Sequence, residues 1–471
     1  MSDTDLIAAL KGIVGNDGVI SDGDSLAPYL NEERGLYQGT AKALVKPNDT
    51  KQVSEIAKLC FMENVPIVAQ GGNTGLVGGG VPHDAVLLNF ERMNQIENID
   101  AQNLTMTVQA GAILAEVQAT ANKADVYFPL SLGAEGSCRI GGNLSTNAGG
   151  IHVLRYGNAC DLVLGLEVVM ADGRIWNGLT ALRKDNTGYD LKSLFLGAEG
   201  TLGIITRAVL RLFPQPRSNC VAFIGCDGFE EALNIFHIVR NRAADVVNAC
   251  EVMNRFALDI AEKHISLVEC PLSERHETYL LLEFASSDGD ADLNGLMEAA
   301  LGDAFEADLI NDAVIAQSGQ QADKIWALRE AIPEAQKIEG GSIKHDVSVP
   351  VSCVPEFIRL GTKLVTERIP GVRVCAFGHL GDGNIHFNLS QPQNTEKQDF
   401  LSQWQDTNKA VHDVVVSLGG SFSAEHGIGQ LKVSEMARLK SKIELDLMQT
   451  LKNSLDPKNI MNPGKVIPHR N

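Results

Sequence analysis

Two periods of apolar residues run along the chain. Leu6, Ile7, Leu10 and Ile13 mark a short helix near the start. Ala43–Val45 reads as a strand, and Pro47-Asn48-Asp49-Thr50 then breaks the chain and caps a helix. Val53, Ile56, Ala57 and Cys60 recur at offsets of three, four and seven, which predicts one apolar helix face. Val65–Ala69 and Ala85–Asn89 read as further strands, on either side of a glycine-dense loop. Leu104–Ala110 predicts a strand and Ile113–Val117 the start of a helix. Leu162–Met170 is an apolar strand that turns at Asp172-Gly173 into Arg174–Trp176, a hairpin. Pro214-Gln215-Pro216-Arg217 is the sharpest punctuation in the chain and predicts a domain boundary.

Beyond that boundary the pattern changes. Cys220–Gly225, Ala249–Met253 and Tyr279–Phe284 read as strands, and Glu230–Arg242 and Leu293–Leu301 as helices. A sheet with helices on one side, an α+β arrangement, is expected. Ile325–Ile332 predicts a helix that carries Arg329, and Pro333 should end or kink it. Ile343–Pro350 alternates, with Lys344, Asp346 and Ser348 on one face and His345, Val347 and Val349 on the other. Phe357–Arg368 reads as a helix, Arg373–Phe377 as a strand, and Phe400–Leu418 as a helix stopped by Gly419-Gly420.

Candidate chemistry sits in the segment Gly378–Asn388. Asp382-Gly383 is a two-residue hairpin signal. Centred there, the hairpin sets Gly381 opposite Asn384, Leu380 opposite Ile385 and His379 opposite His386. Opposed residues share a face with Cβ atoms about 5 Å apart, close enough for two imidazoles to share one metal ion. Asn388 falls on the face of His386. Histidines beside a turn are commonly surface residues, so the pair alone decides little. A second stretch, Ser423–Gly429, adds Glu425 and His426 between glycines. Two histidines and a glutamate with an open position form a catalytic zinc-type ligand set.

Composition narrows the class. A chain of 471 residues holds two or three domains and can bury ample core. A formal charge of -19 argues against nucleic acid and anionic membrane as partners. It also requires any anionic substrate to find a local basic pocket. Nine cysteines without a C-x-x-C pair fit reduced thiols better than a disulfide framework. Met1–Gly15 has no basic n-region, and no apolar run approaches the ~18 residues of a membrane span. A soluble, cytoplasmic protein is the resulting expectation.

Glycine is clustered. Six of the ten residues from Gly71 to Gly80 are glycine, a costly stretch to order. A nest of backbone N–H groups that cradles phosphate is the functional reason for such a loop. No Lys-Ser/Thr follows, which excludes a Walker A loop, and no G-x-G-x-x-G opens a helix, which excludes a Rossmann turn. A second glycine set, Gly133–Gly150, is interleaved with Ser, Thr and Asn and suits the rest of an extended dinucleotide.

Taken together, Pro66–Gly80, Gly133–Gly150, Gly197–Ile205, Gly378–His386, Ser423–Gly429 and Asn462–Lys465 resemble the FAD-linked 2-hydroxyacid dehydrogenases of the vanillyl-alcohol oxidase / p-cresol methylhydroxylase superfamily. Within it the likeness is greatest to the D-2-hydroxyglutarate dehydrogenases, with D-lactate dehydrogenases next. The resemblance implies an α+β fold: a two-subdomain FAD-binding domain (1–217), an antiparallel-sheet substrate or cap domain with the metal hairpin (218–420), and a C-terminal segment returning to the flavin (421–471). Gly71, Gly72, Asn73, Thr74, Gly75 and Leu76 would hold the FAD pyrophosphate. Pro129, Ser137, Gly141, Gly142, Thr146, Asn147 and Gly149 would line the cofactor further along. Gly200 and Ile205 would close on the adenine end, and Asn462 would approach the flavin ring. FAD would be non-covalent, because Asn73 and Thr74 occupy the loop where some relatives have a tethering histidine.

The same resemblance assigns a divalent metal, zinc by preference, to His379, His386 and Glu425. It assigns the substrate to Arg329, Lys344, Asn388 and His426, with His426 also the base. Pro333 departs from the threonine usual in the hydroxyglutarate enzymes, one helical turn past Arg329. The implied reaction oxidises a D-2-hydroxy acid, D-2-hydroxyglutarate first and D-lactate or D-malate as alternatives, by hydride transfer to flavin N5. The implied electron acceptor is an electron-transfer flavoprotein or a quinone-linked route, and a homodimer is compatible with the family. A non-redox alternative is a nucleotide-binding module stapled by a structural metal.

Overall fold

The computed structural model describes residues 1–468. Two compact units emerge. One comprises Met1–Gly150, Tyr156–Gln215 and Glu425–Asn471, the other Ile151–Arg155 and Pro216–Ala424.

The first unit is built on two sheets. Its four-stranded sheet has the order Val19–Ile20, Thr40–Val45, His83–Asn89, Ile67–Gln70. The last three strands run parallel, which demands a crossover, and the helix Thr50–Glu63 supplies it. Asp49 caps that helix by accepting from the Gln52 amide at 2.8 Å. Val53, Ile56, Ala57 and Cys60 are fully buried on its inner face, as their spacing predicts. The second sheet is antiparallel, in the order Ile96–Asp100, Thr105–Gln109, Ile204–Arg211, Val163–Val169, Ile175–Gly178. Its last pair is the hairpin expected at Asp172-Gly173. The helices Leu114–Lys123 and Ile140–Thr146 share its core through Leu114, Val117, Ile140 and Leu144.

The chain's last segment returns to the first sheet. Ile67 donates its amide to Ile460 O at 2.7 Å, and Asn462 returns the bond to Ile67 O at 2.8 Å. Lys452 fixes this return. Its buried ammonium donates to Thr201 O, Asp456 Oδ2 and Met461 O, so all three N–H bonds are used.

The second unit is organised on one antiparallel sheet. Its order is Asp312–Ile315, Ser218–Cys226, Thr278–Ser286, Val247–Asn254, Arg373–His379, Asn384–Ser390, Ser342–Ile343, with Asp346–Ser348 also paired to Asn384–Ser390. The expectation of helices on one side is corrected here. Alternate residues of Ser218–Cys226 enter two different cores. Cys220, Ala222 and Ile224 pack with the helices Phe229–Ala243, Leu293–Glu306, Val354–Arg368 and Trp404–Ser417. Val221 and Phe223 pack with Arg255–His264 and Gly319–Glu339 on the opposite face. A strand apolar on both faces needs cover on both.

Three local expectations also change. Pro333 does not end its helix, which runs from Gly319 to Glu339. Leu328, Ile332 and Ala335 are fully buried along one stripe, and that burial carries the helix through a residue with no N–H to offer the Arg329 carbonyl. Ile343–Pro350 is two short strands rather than one, interrupted at Lys344 and His345. The segment from Phe400 divides into Lys397–Leu401 and Trp404–Ser417.

Candidate active site

In the first unit the strand Ile67–Gln70 runs directly into the glycine loop. Gln70, at the loop's start, ties it to its far end by donating Nε2 to Gly80 O at 3.3 Å, and donates also to Tyr29 O of the helix Gly23–Leu30 at 2.8 Å. The loop walls a cleft with about 1040 Å³ of space free of protein atoms, part of it open solvent. Gly71, Gly72, Asn73, Thr74, Gly75, Gly141, Gly142, Thr146, Gly200 and Ile205 line it, as does His426. Close approach explains Gly72: a Cβ there would lie 2.1 Å from Ser137 O. Gly142 is the opposite case, with nothing within 4 Å of an added Cβ. The space beside it belongs to the cleft.

This cradle fits FAD. Glycine backbone faces the cleft, and the buried Arg139 Nε, on a residue lining it, has no hydrogen-bond partner. An unpaired guanidinium N–H beside a glycine nest suits a pyrophosphate.

The other expected cofactor residues lie around this lining. Ser137 is exposed, its hydroxyl donating to Ala134 O. Asn147 ends the helix Ile140–Thr146 in left-handed conformation and accepts from the Cys160 amide at 2.9 Å. Asn462 donates to Gly79 O and Glu199 O, at 3.0 and 2.7 Å, and so braces two cleft residues from outside. Gly149 makes room for Glu425, since a Cβ on it would lie 2.6 Å from Glu425 Oε1. Leu76 and Pro129 are not among the lining residues.

Several lining residues, among them Glu32, Gln70, Arg139, Asn143 and Glu199, are not among those expected from the sequence. Glu199 is buried and accepts from the amides of Ile428 and Gly429 at 2.7 and 2.8 Å, fixing the turn that follows His426. Burial raises its carboxyl pKa, against the pull of those amides and of Lys432 and Lys465. Burial likewise lowers Lys465 to about 8, opposed by Glu199.

In the second unit the histidine hairpin forms, with a register different from the expected one. His379 pairs with Asn384, Gly378 with Ile385 and Phe377 with His386. The turn is four residues, Leu380–Gly383, because Leu380 is drawn fully into the core and the Gly381 amide donates to Cys250 O. Asp382 closes it by accepting from the Asn384 amide at 3.0 Å. A shift of two residues preserves the face. The imidazoles become diagonal neighbours with centroids 5.7 Å apart.

That face collects the remaining candidates. Glu251 lies directly across from His379 on the neighbouring strand. Its Oε1 is 2.6 Å from His379 Nδ1, and its Oε2 accepts from Arg329 Nε at 2.7 Å. Burial alone would raise the Glu251 pKa, but His379 and Arg329 override it and hold the carboxyl down at about 2. The Arg329 guanidinium also sits over the Phe377 ring, 4.8 Å from its centroid. Arg329 and Lys344 both act on the buried Cys375, whose thiol burial pushes up to about 12 against these two cations. Asn388, opposite Cys375, is oriented at both ends of its amide. It donates to Gln336 Oε1 at 2.9 Å and accepts from the His345 amide at 3.1 Å.

Glu425 is the residue at which the chain passes from the second unit back to the first. Its predecessor Ala424 donates to Asp346 O at 3.2 Å, and Asp346 is paired with His386. His379, His386 and Glu425 each offer a ligand atom, all within 4.8 Å of one another. Two imidazoles and a carboxylate are a donor set of the chemical type that holds a divalent ion such as zinc.

Residues 41–178 match the family model described as "FAD binding domain", and residues 215–466 match "FAD linked oxidases, C-terminal domain". The solved structure of p-cresol methylhydroxylase with substrate bound superimposes with a TM-score of 0.79 at 16% identity, covering 98% of this chain and 96% of that one. The fold and the cleft thus define an FAD-binding oxidoreductase of the p-cresol methylhydroxylase architecture, and the α+β expectation holds. The rat mitochondrial D-2-hydroxyglutarate dehydrogenase is 39% identical over 454 residues, 96% of this chain and 83% of that protein. A D-2-hydroxyglutarate–pyruvate transhydrogenase of Saccharomyces cerevisiae is 34% identical over 480 residues, 99% and 95% of the two chains. The chain belongs to the D-2-hydroxyglutarate dehydrogenase family and is an FAD-dependent D-2-hydroxyacid dehydrogenase. The expected cytoplasmic location does not stand, because the rat relative is named as mitochondrial. Among the described residues, no helix is long and apolar enough to cross a membrane.

Proposed function

We propose that the chain oxidises D-2-hydroxyglutarate to 2-oxoglutarate with non-covalent FAD and a divalent metal, zinc by preference. The observation that carries this reading is the convergence of His379, His386, Asn388 and Arg329 on one sheet face. A metal held by His379, His386 and Glu425 would bind the substrate 2-hydroxyl and lower its pKa. FAD would accept the hydride from the substrate Cα.

The protein's own residues do the rest. Arg329 keeps its two terminal nitrogens for a substrate carboxylate after giving Nε to Glu251. Lys344 adds a second fixed cation, which a dianionic substrate needs against a net charge of -19. Asn388, locked by Gln336 and His345, donates its remaining N–H to the substrate. His426 takes the hydroxyl proton, as an imidazole suits neutral pH. Gly71–Leu76 holds the pyrophosphate, and Pro129, Ser137, Gly141, Gly142, Thr146, Asn147, Gly149, Gly200, Ile205 and Asn462 form and brace the rest of the cofactor site. Bound FAD would supply the redox chemistry, with an electron-transfer flavoprotein or a quinone-linked route as the electron acceptor. Pyruvate is the competing acceptor, on the strength of the yeast relative's name.

Pro333 favours a second reading. It is exposed one turn beyond Arg329 and has no hydroxyl for a distal carboxylate. A shorter acid, D-lactate or D-malate, is the alternative substrate. Comparing kcat/KM for the three D-acids decides: the highest value for D-2-hydroxyglutarate is expected, and a higher value for D-lactate would overturn the assignment.

A further inference from the structure

We propose that Glu251 is a positioning residue that aims the metal ligand His379 and the substrate cation Arg329 together. The inference rests on the proposed function and adds a residue that no motif marks.

Glu251 stands mid-strand in Val247–Asn254, fully buried, with Cys250 and Val252 on either side pointing into the apolar core. A carboxylate is expelled from such a place unless both oxygens are paired. Here one oxygen takes His379 and the other Arg329. A carboxylate can only accept, so the proton of His379 is placed on Nδ1 and the Nε2 lone pair is left for a metal. The second oxygen engages Nε of Arg329 and leaves the two-nitrogen fork, steadied by Phe377, for a planar anion. His386 lies beside a different carboxylate, with Asp346 Oδ1 3.8 Å from its Nδ1. Glu251 therefore couples the two ends of the proposed substrate site through one rigid group. A merely structural ion pair makes the same contacts but predicts no change in metal affinity.

The decisive variant is Glu251→Gln, which keeps shape but cannot accept from both partners at once without turning an NH2 toward one donor. Zn2+ affinity of the FAD-loaded protein is read by chelator competition. KM and kcat for D-2-hydroxyglutarate are read at saturating Zn2+, and FAD absorbance and Tm check the fold. Metal affinity is expected to fall about 10–100-fold, as for other carboxylates behind a ligating histidine. KM at saturating Zn2+ is expected to rise about 10-fold or more, from the misdirected Arg329. Wild-type Zn2+ affinity and KM in a folded Glu251→Gln protein would overturn the proposal, even with a lowered Tm. A wild-type protein that binds no Zn2+ would instead overturn the metal reading on which it rests. If Glu251→Gln does not fold, the 15N shifts of His379 in the wild type decide, assigned by their loss in His379→Gln. In the Zn2+-loaded protein, a proton on Nδ1 supports the proposal, and a proton on Nε2 with Nδ1 bare overturns it.

Discussion

The candidate sites of the two units are made of different materials. The cleft of the first unit is made from backbone: a glycine loop, a second glycine run, and side chains such as Gln70 and Asn462 that brace carbonyls from behind. The histidine face of the second unit is made from side chains on regular strands and one long helix, joined by buried charge. Backbone sites resist most substitutions and fail at glycines. Side-chain sites tolerate backbone change and fail at single charged or imidazole groups. The difference reflects the ligands proposed for each. A large dinucleotide needs many weak, shape-matched contacts, whereas a small hydroxy acid needs few strong ones.

The contrast can be broken from either side. The largest effect is expected for His426→Ala, with kcat down at least ~100-fold through loss of the base. Near-normal turnover would reassign that role. Next come two glycine variants that separate the cleft's own walls. Gly72→Ala drives a Cβ into Ser137 O, so FAD should be absent from the purified protein. Gly142→Ala has room and sits in the helix Ile140–Thr146, so the FAD-free protein should gain about 0.5–1 kcal/mol. FAD should nonetheless bind more weakly to it. A Gly142→Ala protein with unchanged FAD affinity would remove the cofactor from that side of the cleft.

Smaller effects test the supports. Lys452→Met is expected to cost roughly 3 kcal/mol in chemical denaturation, since three buried acceptors lose their donor. Pro333→Thr should raise kcat/KM for D-2-hydroxyglutarate relative to D-lactate by about 10-fold, one hydrogen bond to a charged group. An unchanged ratio would separate selectivity from that position. The smallest is a pH effect at Glu339, which contacts Lys263, His264 and Arg373. Burial alone would raise its carboxyl, but these partners lower it from 4.5 to about 2. Its folded value lies below its unfolded one, so its contribution is present above about 4.5 and is lost as pH falls toward 2. Glu339→Gln should flatten stability in that window and leave it parallel to wild type above it.

The same contrast explains what could be read from the chain. The cleft was legible because glycine in a dense run has few other uses, and its cap and crossover helix followed local rules at Asp49 and Val53. The hairpin was legible in face but not in register. Parity depends on alternation, while the turn length depended on Leu380 reaching a core formed by distant helices. The passage of the helix through Pro333 depended on the same kind of distant burial. Glu251 was illegible in function, since one acid in an apolar strand has no motif. Only its placement across from His379 and under Arg329 gives it meaning.

The most direct test of the joint claim is anaerobic bleaching of the flavin by substrate. Protein loaded with Zn2+ and protein stripped by EDTA are each mixed with D-2-hydroxyglutarate, L-2-hydroxyglutarate and D-lactate, and flavin absorbance is followed. Rapid bleaching by D-2-hydroxyglutarate in the loaded protein is predicted, slow bleaching by D-lactate, none by the L-acid, and little by any acid after stripping. Equal bleaching by D-2-hydroxyglutarate with and without the metal would contradict the account.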